Sequence, residues 1–343
     1  MIWLTWRQFR AQALLAVTVL ALFAVVYALT GPNLAHLYDS SGLAGCHAPR
    51  DCAALTNTFL AAMKADSVYP LLYFLGSAAL ILAPALMGAF WGAPLVAREL
   101  ENGTFRLVWN QSVTRARWTV VKLGALAAAA VVVTGLLSLV VTWWAAPIDR
   151  AGGFPVGTSQ LSRFSPQIFD ARGVTPMGYA AFAFVLGALV GVLIRRTLPA
   201  MAITLAVFAA VQIGTPMALR PNLLTPVQAT TAQLTPAQLN TGVMNSAGQL
   251  TLPASMPGAW IVANQTITPA GQVFVLPDVP ACQSGTHRQC WSWLATQHLR
   301  QRVTYQPASR YWDFQWYETG IYLALTGILA GFCVHRISRD GRT

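Results

Sequence analysis

Six stretches of the chain, 13–30, 69–91, 120–144, 176–194, 198–219 and 316–334, have no Asp, Glu, Lys or Arg in their interiors. Each reaches or approaches the roughly 20 apolar residues that a helix needs to cross the hydrocarbon core of a bilayer. A backbone in lipid has no water to bond, so it must satisfy its own N–H and C=O groups, which selects helices over open strands. Pro84 and Pro216 fall within two of the runs and predict kinks, with the freed carbonyls covered by neighbouring helices. The expected fold class is an all-α membrane protein with six transmembrane helices. The first run has basic flanks but no small-residue cleavage site after it, so it is expected to stay as an anchor.

Composition supports the same solvent. Of 343 residues, 55% are hydrophobic and 10% charged, against roughly 25% charged in soluble domains. The formal charge of +11 suggests nucleic acid only if the basic groups cluster on one module, and here they lie between the apolar runs. Nucleic acid is therefore excluded as a partner. Almost all of the basic residues are Arg, and Ala and Val are abundant, as in the proteins of high-GC bacteria.

The connections give an orientation. With the N-terminus inside, the inner segments are 1–12, 92–119, 195–197 and the tail from His335. Together with Lys122 they hold most of the positive charge, while their only acids are Glu99, Glu101 and Asp340. Short basic loops stay in the cytoplasm, so both termini are expected there, in a multi-pass protein of the plasma membrane. The cysteines agree. Cys46 and Cys52 fall in one outer connection, Cys282 and Cys290 in another, and Cys333 stands alone at an inner helix end. Close pairs on the oxidising side predict two disulfides. Free thiols are the alternative, and the spacing is too wide for a CxxC metal knuckle.

Three further segments carry a pattern. The start, IWLTWRQFRAQ, places Trp3, Trp6 and Arg10 at helical spacing. It reads either as an interfacial helix on the inner leaflet or as the wet start of the first span. The outer region 220–314 is rich in Pro, Thr, Gln and Gly up to about 280, and predicts a small extracellular domain or an elaborate loop. Toward its end, Trp291, Leu294 and His298 share a helical face, and Trp312, Trp316 and Glu318 mark an aromatic outer interface. Residues 291–314 read either as a helix dipping into the outer leaflet or as a surface amphipathic helix. Finally, Ala183, Gly187 and Gly191 form a small-residue stripe that permits close helix approach, within the chain or between subunits.

Several motifs are missing. There is no GxxxxGK[ST] phosphate loop, no HExxH and no GxSxG, and no paired carboxylates are apparent in the spans. The chain therefore reads as neither an ATPase nor a hydrolase, and it binds no cofactor of its own. Ion-coupled transport needs intramembrane ionisable groups, and Glu318, near the end of the last run, comes closest.

The inner segment 96–122, VARELENGTFRLVWNQSVTRARWTVVK, is organised rather than merely polar. Gly103 suits a helix end, because it tolerates positive φ. Thr104 suits the cap of a short new helix. On that helix Phe105, Val108 and Trp109 share one apolar face, with Arg106 beside them. The face can dock on a soluble partner or pack on the membrane surface. The segment resembles the first cytoplasmic loop of the ABC type-2 transporter permeases. There an E-x-E-x-G-T stretch leads into a coupling helix, a Ser/Thr-Arg turn and a Lys entering the third helix. In this chain those positions are Glu99, Glu101, Gly103 and Thr104, then Ser112 to Arg115, then Lys122. The lead-in to the last helix, YQPASRYWDFQWYETGIYLAL, is similar to that of actinobacterial members.

The resemblance implies a permease that pairs with a second copy or a sister permease. Two ABC ATPase subunits, which carry the ATP and Mg, would dock beneath it. Glu99, Glu101, Gly103, Thr104, Phe105, Arg106 and Trp109 would form the coupling contact. In this scheme residues 1–219 hold the first five spans and the coupling loop 92–119. Residues 220–314 are extracellular, and 315–343 form the last span and the tail. A bundle without interior charge suits export of a hydrophobic or amphiphilic substrate: a drug, antibiotic, lipid or peptide. The other function class is a non-transporting sensor or scaffold with an extracellular ligand site.

Overall fold

The computed structural model describes residues 2–46, 49–101, 115–156, 159–254, 256, 258–283 and 287–339. It divides into two compact units, one of residues 1–223 and 312–343, the other of residues 224–311.

The first unit is helical. Its helices are α1 (Ile2–Ser40), α2 (Pro49–Ala65), α3 (Val68–Met87), α4 (Pro94–Glu101), α5 (Arg115–Arg150), the short α6 (Pro166–Phe169), α7 (Thr175–Ile194) and α8 (Thr197–Gly214). A two-stranded ribbon, β1 (Phe154–Val156) with β2 (Ser159–Leu161), precedes α6. Among the described residues, six stretches are long and apolar enough to cross a membrane: Phe9–Ser40, Val68–Arg98, Thr119–Arg150, Thr175–Ile194, Thr197–Asn222 and Ala308–Ser338. Most extend beyond the apolar runs of the sequence, because a helix continues past the hydrocarbon zone while its backbone bonds are still satisfied. For the same reason α1 runs from Ile2 without a break. The N-terminal segment is continuous with the helix of the first span, which begins at Phe9.

α7 is the hub of this unit. Its apolar window is 83% buried, whereas that of α1 is 6% buried. Leu14, Leu15, Leu22, Val25 and Leu29 on α1 are exposed. α1 packs through Tyr27 and Leu34 against Trp144 and Ile148 of α5, and Gly31 lies under the Trp143 and Trp144 rings. Amphipathic α2 adds Phe59, Leu60 and Met63 to the same cluster.

The small-residue stripe of α7 packs within the chain. Opposite it, the second span opens after α3 into a wide π turn over Gly88–Gly92, four residues after Pro84. A Cβ at Gly187 would collide with the Gly88 carbonyl, and one at Gly191 with the Ala93 carbonyl. In return, a Cβ at Gly88 or Gly92 would strike the carbonyls of Ala183 and Phe184. Backbone here lies directly on backbone, which only glycine allows. Pro216 likewise sits in a π turn, Thr215–Leu219, that closes the fifth span. Pro216 removes one N–H from the ladder inside its π turn, whereas Pro84 sits within α3, ahead of the other π turn.

The second unit corrects the all-α expectation. It contains β3 (Val227–Gln233), α9 (Pro236–Leu239), β4 (Val243–Met244), β5 (Leu250–Thr251), β6 (Trp260–Ile267), α10 (Pro280–Gln283), α11 (His287–Thr296) and β7 (Arg300–Gln306). Strand β7 lies between β3 and β6, antiparallel to both, pairing Val227 with Tyr305 and Ile267 with Arg300. Leu294 of α11 is buried with Leu234, Leu239, Leu250, Leu252 and Phe274. The helical face predicted through His298 therefore stops at α11, which packs on the unit's own core. His298 takes a left-handed φ of 50° at the turn into β7. β-branched Thr, Val and Ile, which recur in β3, β6 and β7, lose side-chain freedom in a helix but suit a pleated surface. The chain then enters α12 (Tyr311–Arg339), the last span.

Candidate functional site

Chemistry-bearing side chains gather at the two ends of the bundle. At one end Glu101 closes α4. Its carboxylate accepts hydrogen bonds from the Thr197 backbone N–H at 3.2 Å and from Thr197 Oγ1 at 2.7 Å. Thr197 opens α8, directly after the Arg195–Arg196 turn, where Arg195 takes a left-handed φ of 58° to end α7. The carboxylate thus sits at the N-terminus of α8, where unpaired N–H groups favour an anion. The Thr197 bonds, helped by Arg196 and Arg98, hold its pKa below the usual glutamate value. Glu99 lies on α4 with its side chain outside the described residues. Gly103, Thr104, Phe105, Arg106 and Trp109 also lie outside them. The structure therefore shows how the 96–122 segment leaves α4, tied to the α7–α8 turn, and how it returns at Arg115.

At the other end is a buried ionic network. Arg220, at the close of the fifth span, is 1% exposed, and Glu318 of α12 is 0% exposed. Arg220 Nε donates to Glu318 Oε2 at 2.9 Å, and its Nη2 donates to Oε1 at 3.0 Å. Nη2 also reaches Asp170 Oδ1, and the guanidinium stacks 3.9 Å above the Phe169 ring. The Tyr179 hydroxyl lies within hydrogen-bond reach of both carboxylates, with one proton to share between them, and Gln212 Nε2 donates to Asp170 Oδ2 at 3.0 Å. One cation thus holds two carboxylates from separate segments in the fork geometry that suits arginine.

Gln315, one turn before Glu318 on α12, completes the clamp. Its Oε1 accepts from the N–H groups of Val174 and Thr175 at 2.9 and 3.1 Å, and its Nε2 donates to the Phe169 carbonyl. These bonds satisfy the start of α7, which has no side-chain cap of its own. Gly173 makes this approach possible. It takes a positive φ of 65°, and a Cβ there would press on Gln315 Oε1. Two residues after Asp170, Arg172 turns the opposite way. Its Nε donates to Asp149 Oδ2 and its Nη1 to Ser77 Oγ, both at 3.3 Å, and it lies 5.0 Å above the Tyr73 ring. The Phe169–Arg172 turn therefore locks α3, α5, α7, α12 and the fifth span together at one end.

Comparison with known families decides the identity of this bundle. Residues 17–220, more than half of the chain, match the family described as ABC-2 membrane transporter related. The chain belongs to that family. Comparison with curated proteins and comparison with solved structures each return no match. ABC-2 membrane proteins are permease-like and are typically the non-catalytic transmembrane subunits of their transporters.

In this ABC-2 protein the buried network is what the sequence reading missed. The spans do hold paired carboxylate and guanidinium groups. Asp170 comes from a connection, Arg220 ends one run and Glu318 begins another, so none interrupts an apolar stretch. Glu318 lies on the inward face of α12 and is buried. Trp312 and Trp316 on the same helix are 50% and 61% exposed. A signal existed in the spacing of Gln315, Glu318 and Tyr322, which share one helical face, and Tyr322 meets Thr215 at 2.6 Å. The cysteines form two disulfides, Cys46–Cys52 and Cys282–Cys290, and Cys333 is a buried free thiol. The second disulfide staples α10 to α11, and the first joins the end of the α1 connection to α2.

Proposed function

We propose that this chain is the transmembrane permease subunit of an ATP-driven exporter, working with a second permease copy or a sister permease and two separate ABC ATPase subunits. The observation that carries this reading is the family match, which spans the first five membrane helices and the loop between the second and third. ATP and Mg would be bound by the ATPase chains. This chain would supply the substrate path and the contact that receives the stroke.

In this reading both termini and the 92–119 loop are cytoplasmic, and residues 224–311 are extracellular. Glu99 through Trp109 form the docking element, with Phe105 and Trp109 as buried anchors and Glu99, Glu101 and Arg106 setting register. The tie from Glu101 to Thr197 supports a mechanical route. A push on the loop reaches the α7–α8 turn through that bond, and α7 is the hub against which the other helices pack. The ionic clamp at the far end would act as the pivot. The lipid-facing helices favour a hydrophobic or amphiphilic cargo.

The experiment is co-purification of the permease with its cognate ATPase. Glu99→Ala and Trp109→Ala should each reduce the ATPase recovered while leaving the permease folded. Full recovery in both variants, or labelling of the 99–109 segment by an impermeant reagent on intact cells, would remove the coupling assignment.

A further inference from the structure

The buried network around Arg220 does not balance in charge. It holds two carboxylates, Asp170 and Glu318, and one guanidinium. Asp170 is 5% exposed, Glu318 0% and Arg220 1%. Among the described residues no other cation bonds to either carboxylate. Fully ionised, the cluster would carry one net negative charge away from water, which is costly. Asp149 close by is matched by Arg172 and has no such excess.

The hydrogen bonds show the same shortfall. The Tyr179 hydroxyl reaches an oxygen of Asp170, at 3.1 Å, and an oxygen of Glu318. An ionised carboxylate only accepts, and a phenol has one hydrogen. Two such contacts need two hydrogens, and Tyr179 supplies one. Two carboxylates that share a site meet this need by keeping a proton between them. The arginine decides which of them keeps it. Glu318 takes a bond on each oxygen, from Nε and Nη2, whereas Asp170 takes one, on Oδ1. The two-pronged contact suits a full carboxylate, so Glu318 is the counterion.

We propose that Asp170, Tyr179 and Glu318 form a binding site for a single proton, held on the Asp170 carboxyl, which donates to the Tyr179 oxygen while Tyr179 donates to Glu318. The cluster is then neutral, and each of these contacts has its hydrogen. Release of the proton leaves negative charge where α7, α12 and the fifth span meet, so this junction loosens as pH rises. The groups around Asp170 favour the protonated form. Burial holds its pKa above the ordinary 3.8; Arg220 and the Tyr179 bond pull it down, and Glu318 pushes it back up. Tyr322 of α12 is bonded to Thr215, and Arg172, on the same turn as Asp170, is directed to Asp149 and Ser77. The site lies within this chain and does not depend on a partner subunit.

The test is infrared spectroscopy of the purified chain in detergent at neutral pH. A protonated carboxyl gives a carbonyl band that a carboxylate lacks. The wild type should show such a band, displaced in D2O. It should be lost in Asp170→Asn, which is permanently neutral. It should also be lost in Glu318→Gln, where Asp170 becomes the counterion of Arg220 and gives up its proton. Thermal melting supplies a second readout. An acid with a raised folded-state pKa contributes stability that is complete in acid and lost as pH rises through that value. The parent should therefore match Asp170→Asn in acid and fall progressively below it on the alkaline side. A wild type without the band would overturn the proposal, whether or not the variants fold. So would a band that survives in either variant. A parent that melts above Asp170→Asn at neutral pH and converges with it in acid would also overturn it, because that is the behaviour of an ionised Asp170.

Discussion

At one end of the bundle Arg220, Asp170 and Glu318 are buried and joined by Tyr179, Gln212 and the Phe169 ring. At the other end Glu101 meets Thr197 at the protein surface. Both ends use a carboxylate to tie one helix to the next, but the surroundings give the two ties different weight. A buried ion pair has lost its water, so removal of one partner strands the other. An exposed carboxylate falls back on solvent when its partner goes. The buried tie is therefore the costlier one to break. The exposed one is held lightly, which is what the proposed coupling role would need.

The sharpest way to break this comparison is Arg220→Met. It leaves Asp170 and Glu318 buried with no cation between them and should cost about 3–5 kcal/mol, read as a large drop in melting temperature in detergent or loss of folded protein. Adding Asp170→Asn and Glu318→Gln to that variant should recover much of the loss, because no stranded charge remains. If the single variant melts with the parent, the clamp has no structural role.

Next in size is Cys282→Ser. It opens a short loop in the 224–311 unit and should destabilise that unit by about 2–3 kcal/mol, seen as faster limited proteolysis there. The bundle has its own core and should melt unchanged. Gly187→Val should cost about 1–3 kcal/mol, because a side chain there pushes on the Gly88 carbonyl between the two ends. Thermal unfolding measures it, and a neutral result would mean that α7 and the π turn are not in direct backbone contact.

The smallest effect belongs to Glu101→Gln. Its folded-state pKa lies below the ordinary value of 4.5, so its contribution is complete above that value and fades as pH falls through the lowered folded value. Melting profiles of the variant and the parent should separate slightly at neutral pH and converge in acid. A shift as large as that of Arg220→Met would erase the distinction between the two ends.

Much of the bundle was legible before the structure. Six runs without charge in their interiors became six candidate spanning helices among the described residues, Pro216 falls inside a π turn and Pro84 just ahead of one, and the cysteines paired as their spacing suggested. The 224–311 region was harder to read. Its strands pair across long separations, as Val227 does with Tyr305, and a local window carries no record of such a partner. The site was legible only in part. The E-x-E-x-G-T pattern drew attention to Glu101, but nothing near it in sequence named Thr197.

What the sequence by itself determined is the solvent: apolar runs of bilayer length leave the backbone no choice but helices that face lipid. What only the tertiary structure decided is which polar groups are buried together. Asp170, Arg220 and Glu318 are far apart along the chain, and each alone looks like a residue at a membrane edge. They become one clamp because α12 and the fifth span pack against the start of α7. Burial and charge pairing belong to that packing, and no single segment encodes them.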